Sequence, residues 1–367
     1  MSVDGDVSGG AGNSAGLLPS KQKKVTNPDN APQHTSAQHC HGEGHRLRPR
    51  IVIPDDSPPV ISGTPALDRM MSAGDVSVHT TPPATREELL RRISGAHTVV
   101  NIRAYCKFPR DVLQIMSGST KHLAIWGTGT DNVDLRAAAD LGIVVSNTPN
   151  TATDAIAEHG LALLLAVARR VPQVDASVKR GEWIKGMLYQ CHGKTLGIVG
   201  TGVIGTRFAE LARAVGMNVL AWTFHPDPGK AAHIGFEYVA SLEELLSRSD
   251  IVSLHLRSSD QTRGMLGHKQ FATMKNGAIL INTARGDIVD EDALVTALAS
   301  GKLLGAGLDV FAQEPVAKTS PLLGLDNVVL SPHTAGTTPE ALQNGLMRCA
   351  GNVVSFMESG QVLNRVV

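Results

Sequence analysis

An α/β fold with two doubly wound parallel sheets follows from three observations in this 367-residue chain. From Ile51 onward, short apolar runs alternate with stretches of helical periodicity. One apolar run, Thr195 to Val199, ends in Gly200, Gly202 and Gly205, spaced G-x-G-x-x-G, before a helix-periodic segment. The alternation also covers enough chain to bury two cores.

In order, the first domain reads as a strand at Ile51–Ile53, a helix at Arg86–Ile93 after a Thr85 cap, and a strand at Thr98–Ile102. A helix at Asp111–Met116, a strand at Leu123–Trp126, a helix at Asp134–Leu141 stopped by Gly142, and a strand at Ile143–Val145 follow. Asn147-Thr148-Pro149 reads as a hinge, and Thr151 to Asp154 as a capping box opening a long buried helix. Strands near Thr195, Val219, Tyr238, Ile251, Ala278, Gly305 and Val328 then alternate with helices, and a last helix runs from Pro339 to Ser359. The expected boundaries are a disordered tail at 1–49, one domain at 50–147 completed by 339–367, and a second at 148–338.

Residues up to about Pro49 are rich in Gly, Ser, Asn, Pro and His and poor in large apolar side chains, so burial cannot offset the entropy of ordering them. Within them His39, Cys40, His41 and His45 could ligate a metal, and Lys21, Lys23 and Lys24 could contact an anion. The plainer reading is a solvated tail or an over-long start to the reading frame, and no metal site is expected.

Thirty-four Lys plus Arg balance thirty-four Asp plus Glu, so no global field favours nucleic acid or an anionic membrane, and a small-molecule ligand is expected. Cys40, Cys106, Cys191 and Cys349 form no C-x-x-C pair, as suits reduced thiols in a cytoplasmic protein. No signal peptide is read at the N-terminus, and the apolar stretch Ala155–Ala168, interrupted by Glu158, His159 and Gly160, falls short of a membrane span.

The glycine turn carries the first chemistry. Gly200 allows a tight turn, Gly202 lets backbone approach a pyrophosphate, and Gly205 lets the helix pack on the strand, with Val203 and Ile204 beginning that helix. Three strings at the ends of late strands carry the rest: Asn282-Thr283-Ala284-Arg285-Gly286, Gln313-Glu314-Pro315 and Ser331-Pro332-His333-Thr334-Ala335-Gly336. An Arg, a Glu and a His at the mouth of a dinucleotide site suit hydride transfer to or from a hydroxy acid. Arg285 would fork onto a carboxylate and a carbonyl oxygen, His333 would exchange the hydroxyl proton, and Glu314 would fix its tautomer.

The GTGVIG turn, NTARGDIVDEDAL, GLDVFAQEP and SPHTAG, in that order, closely resemble the D-isomer-specific 2-hydroxyacid dehydrogenases, from about Ile51 to the C-terminus. The resemblance implies a flavodoxin-like substrate domain and a Rossmann cofactor domain with the cleft between them, an NAD cofactor, a small D-2-hydroxy or 2-keto acid substrate, and a homodimer joined through the cofactor domain. It implies Arg285, Glu314 and His333 as the catalytic set, Asp309 at the nicotinamide carboxamide, and Thr262, Thr283 and Ala284 beside the cofactor. It implies Arg103 and Ala104 with Gly127, Thr128 and Gly129 around the substrate carboxylate. The chain departs from the pattern at Thr223, where the family usually has Asp to hold the ribose and repel a 2′-phosphate, so NADP stays open beside NAD. Arg257 stands where Pro is common, and Tyr189-Gln190-Cys191-His192 replaces a Gly and an acidic pair. Two further readings are a nucleotide-sensing corepressor of the same fold and, less favoured because Gln usually replaces Glu314, formate oxidation.

Overall fold

The computed structural model describes residues 48–102 and 106–367. The expectations for the tail, including its disorder and the His39, Cys40, His41, His45 cluster, lie outside the described residues, as do Arg103 and Ala104.

The first sheet comes from β1 (Arg50–Ile53), α1 (Pro65–Ala73), β2 (Asp75–Val78), α2 (Arg86–Ile93), β3 (Thr98–Ile102), α3 (Arg110–Met116), β4 (His122–Trp126), α4 (Leu135–Asp140) and β5 (Val144–Ser146). Its strands are parallel in the order β2-β1-β3-β4-β5, the flavodoxin-like winding. Alternate strand residues feed opposite faces. Val52, Val99, Leu123 and Ile125 pack under α2, α3 and α4, while Ile51, Ile53, Val100, Ile102 and Ala124 pack on the other face.

Two helices, α5 (Thr153–Arg169) and α6 (Val171–Lys179), lead to the second sheet. Its elements are β6 (Thr195–Val199), α7 (Val203–Ala214), β7 (Asn218–Trp222), α8 (Pro228–Ile234), β8 (Glu237–Tyr238), α9 (Leu242–Arg248), β9 (Ile251–Leu254), α10 (His268–Thr273), β10 (Ala278–Asn282), α11 (Glu291–Ala299), β11 (Leu303–Leu308) and β12 (Val328–Leu330). The parallel order β12-β11-β10-β9-β6-β7-β8 reverses between β6 and β9, which is the doubly wound switch point where such sheets take ligands.

The closing helix α12 (Pro339–Ser359) returns to the first sheet, where Leu346, Cys349, Ala350 and Val353 complete the face that α1 only half covers. After it the chain lies along β5, with the Val366 amide donating to the Val145 carbonyl at 2.8 Å, so the edge is partly closed.

Two features differ from expectation. The α1–β2 pair was not read from the sequence: only Ala66 and Met70 of α1 are buried, and β2 is a half-exposed edge, so neither has a strong apolar period. Thr64 before Pro65 was the available signal, and its side chain does accept from the Leu67 amide. The capping box at Thr151–Asp154 does not form. Ala152 is the N-cap without a side-chain bond, because Asp154 is drawn to Arg207 of α7 at 2.7 Å and Thr151 donates to the Thr148 carbonyl.

His122 on β4 is fully buried against the Phe356 ring of α12 at 4.6 Å and shares a 2.8 Å hydrogen bond with Ser146 Oγ. Burial, and then the neighbouring His97, push its pKa from 6.5 down to about 3. The folded form keeps the ring neutral while the unfolded form protonates near 6.5, so this stabilisation is full above that value and is lost as pH falls toward 3. Urea unfolding should therefore lose about 2 kcal/mol between pH 7 and pH 5 from this group alone. His122→Gln should flatten that slope, and an unchanged slope would remove His122 from the acid response.

Candidate active site

Strand register lines up the residues of interest. Val199, Trp222, Leu254, Asn282, Leu308 and Leu330 are paired neighbours at the carboxyl ends of six strands. The next residues, Gly200, Thr223, His255, Thr283, Asp309 and Ser331, therefore form one row along the sheet's edge.

At the switch point, Gly200 has φ 100°, and a Cβ there would meet the His255 carbonyl oxygen at 2.8 Å. A Cβ on Gly205 would collide with the Gly200 carbonyl, so α7 can sit this close to β6 only without one. Gly202, the N-cap of α7, is exposed with open space where a Cβ would stand. The amide end of a twelve-residue helix thus faces an open cradle, which suits an anionic phosphate. Val203 is exposed and Ile204 half-buried at the helix start.

Beside the cradle, Thr283 is buried and its Oγ1 has no hydrogen-bond partner among the described residues, while the neighbouring Ala284 is buried too. An unpaired buried hydroxyl at this edge is what a bound nicotinamide or its ribose would satisfy. Thr262 differs: it is buried, and its hydroxyl donates to the Arg257 carbonyl at 2.7 Å and accepts from the Ser259 amide, so it pins its own loop. Thr223 is half-buried after β7. The nearby Asp227 caps α8 through the Gly229 and Lys230 amides, so its carboxylate is turned to that helix.

Asp309 is only 1% exposed and organises the turn that carries His333. Its Oδ1 accepts from Ser331 Oγ at 2.6 Å and the Thr334 amide at 2.9 Å, and its Oδ2 accepts from the Ala335 amide at 2.9 Å. Ser331 is in turn 2.8 Å from His159 Nε2 of α5. His333 itself adopts φ 53°, a left-handed conformation unusual outside glycine, held by its amide donating to the Asp309 carbonyl at 2.8 Å.

His333 Nδ1 lies 2.7 Å from Glu314 Oε2, and Glu314 Oε1 accepts from the Phe311 amide. Burial acts to raise the Glu314 carboxyl, but hydrogen bonds from His333 and Phe311 and the charges of His333 and Arg285 outweigh it, leaving the pKa below the ordinary value. An ionised carboxylate can only accept, so Nδ1 carries the proton and Nε2 faces outward as acceptor in the neutral ring. Arg285 follows β10 and is about one-third exposed, with Asn282 Nδ2 holding its carbonyl at 2.9 Å. Gly127 and Gly129 after β4 are half-buried and Thr128 is exposed; the Gly127 amide donates to Thr148 Oγ1. The Ser331–His159 link, the Asp309 cradle and the partner of Arg285 described below were missed in the sequence. Each joins residues far apart in the chain and leaves no local spacing to read.

These features define an α/β protein of two parallel sheets, the second carrying an open glycine cradle at its carboxyl edge. Residues 161–335 match the family model described as D-isomer specific 2-hydroxyacid dehydrogenase, NAD binding domain. The chain is 44% identical over 245 residues to a glyoxylate reductase of Thermococcus litoralis, covering 64% of this chain and 73% of that protein. It is 40% identical over 303 residues to a D-3-phosphoglycerate dehydrogenase of Archaeoglobus fulgidus, covering 82% of this chain and 57% of that protein. A crystal structure of a glyoxylate reductase from Paecilomyes thermophila superposes with a TM-score of 0.79 at 31% identity, covering 87% of this chain and 98% of that one. The chain belongs to the D-isomer-specific 2-hydroxyacid dehydrogenase family. It spans about half the length of the archaeal and plant phosphoglycerate dehydrogenases it matches.

Proposed function

We propose that the protein is an NAD(P)-dependent oxidoreductase that interconverts a small 2-keto acid and the corresponding D-2-hydroxy acid. The observation that carries this reading is the His333–Glu314 pair at 2.7 Å, on loops of the same sheet edge as the glycine cradle. His333 Nε2, once protonated, would deliver a proton to the carbonyl oxygen of a keto acid. Glu314 would hold the ring with its proton on Nδ1, and Arg285 would polarise the carbonyl and bind the carboxylate. A bound dihydronicotinamide supplies the hydride. The cofactor would be held by Gly200, Gly202, Val203, Ile204, Gly205, Thr223, Thr283, Ala284 and the remaining lone pair of Asp309 Oδ2. Thr262 would support the adjoining loop, and Arg103, Ala104 and the Gly127–Gly129 backbone would take the substrate carboxylate.

We take 50–147 with 339–367 as the substrate side and 148–338 as the cofactor side. A second copy of the chain is proposed to cover the exposed Trp183, Ile184, Met187 and Leu188 that follow α6. A cytoplasmic setting suits the three described cysteines, all buried free thiols. No helix among the described residues is long and apolar enough to cross a membrane.

The reading is tested by turnover of glyoxylate, hydroxypyruvate and pyruvate with NADH and with NADPH; no turnover of any pair would sink it. Cofactor choice carries its own expectation. With Thr223 in place of a carboxylate, and Asp227 engaged as a helix cap, the described residues after β7 offer neither a free carboxylate to repel a 2′-phosphate nor a cluster of Arg to reward it. The two kcat/KM values should differ by less than about a hundredfold, or roughly 2.7 kcal/mol. Thr223→Asp should shift the ratio toward NADH, and a ratio that stays put would show that another group reads the 2′ position.

A further inference from the structure

Arg285 is held from the opposite sheet. Its Nε donates to Asp131 Oδ2 at 3.0 Å, and Asp131 stands 154 positions earlier, in the loop after β4. Its Nη1 donates to the Ala284 carbonyl at 2.7 Å. Its Nη2 lies against the bare backbone of Gly129, where a Cβ would collide with it. Each guanidinium nitrogen thus has its own neighbour, two of the three supplied by the first-sheet loop. The main chain of Arg285 is fixed separately by Asn282 of β10.

We propose that Asp131 is a positioning residue for Arg285: its carboxylate fixes the guanidinium plane across the cleft, so that the unused Nη hydrogens form a ready fork for the carboxylate of a 2-keto acid. The proposal rests on the reading of Arg285 given above. The ion pair is 34% and 58% exposed on its two sides, so it adds little to stability. Its effect lies in orientation. A long, flexible arginine loses conformational freedom when it grips an anion, and an arginine already held in place loses less. The contact also exists only while the loops after β4 and β10 are together, which ties the readiness of Arg285 to the closeness of the two sheets.

Charge and orientation predict opposite signs, which makes the idea decidable. Asp131 is a negative charge beside an anion subsite, so if charge alone mattered, removing it would tighten anion binding. If positioning matters, removing it loosens binding. Oxamate, a non-reducible analogue of a 2-keto acid, is titrated into the protein–NADH complex by calorimetry, and NADH affinity is measured separately by fluorescence. Asp131→Ala should weaken oxamate by about ten- to a hundredfold, the range expected for a misplaced binding group, with NADH affinity within about twofold of wild type. Asp131→Asn, whose amide oxygen still accepts from Nε, should recover most of the loss. Unchanged or tighter oxamate binding by Asp131→Ala overturns the proposal. So does an Asn variant as weak as the Ala variant, or a parallel loss of NADH, which would mark Asp131 as a support of the fold. Arg285→Ala is measured alongside. If it binds oxamate like wild type, the assignment of Arg285 has failed; if it loses oxamate while Asp131→Ala does not, only the positioning role has.

Discussion

His333→Ala should lower kcat by roughly two to four powers of ten while NADH affinity stays within about twofold, the signature of a lost general acid and base. The side chain ends half-exposed at the sheet edge and makes its only described side-chain bond to Glu314, so alanine removes the proton carrier without opening the core. The backbone sharpens the test. Because φ is 53° here, alanine keeps a left-handed strain that glycine would relieve, so His333→Gly should melt at or above His333→Ala while being equally slow. Stopped-flow reduction of glyoxylate, with binding followed by fluorescence, separates the two quantities. Near wild-type turnover by either variant would take His333 out of the reaction.

The second large effect is expected at Asp309. Replacing it by alanine removes an acceptor that is itself only 1% exposed and leaves Ser331 Oγ and the Thr334 and Ala335 amides, the last of them buried, without that partner. Leaving buried donors unpaired costs on the order of 3 kcal/mol in total, which in a chain of this size lowers the melting temperature by roughly 4 to 6 °C. The turn those amides belong to carries His333, so kcat should also fall, by about a hundredfold. Asp309→Asn tests the cause. Its oxygen at the Oδ1 position keeps the Ser331 and Thr334 bonds while its NH₂ meets the Ala335 amide, so it should recover part, but not all, of both losses. A variant that melts normally yet is slow would move the role of Asp309 from the protein's own turn to the bound cofactor.

What could be read from the sequence and what could not divide along a physical line. The β6–α7 turn, the row of strings ending at Arg285, Glu314 and His333, and the full extent of α12 were legible because each is written in contiguous residues: glycines at fixed offsets, an apolar run, a Thr338-Pro339 start and a Gly360 stop. The His333–Glu314 contact was legible too, since both strings follow neighbouring strands. Asp131 on Arg285, His159 on Ser331 and Arg207 on Asp154 were not, because strand order and helix packing bring them together. The last of these also cancelled a local signal, since an ion pair to α7 took the carboxylate that the capping box required. The α1–β2 unit was missed for the opposite reason. It lies at the rim, where few side chains need burial and the apolar period that marks an element is weak.

The return of α12 to the first sheet has a consequence for biosynthesis. Ile53, Ile102 and Ala124 leave the ribosome before the second sheet, yet the helix that seals their face follows that whole sheet. At about 5 to 20 residues per second, the intervening stretch takes roughly 10 to 40 s to make, and for that time one side of the nascent sheet has only α1 over it. The second sheet has no such wait, because α5 and α7 precede or adjoin the strands they cover. The order of maturation on the ribosome should therefore invert the order of the chain, with the later sheet closing first. Chains stalled before Leu346 should carry a sticky apolar surface that calls for a holding chaperone.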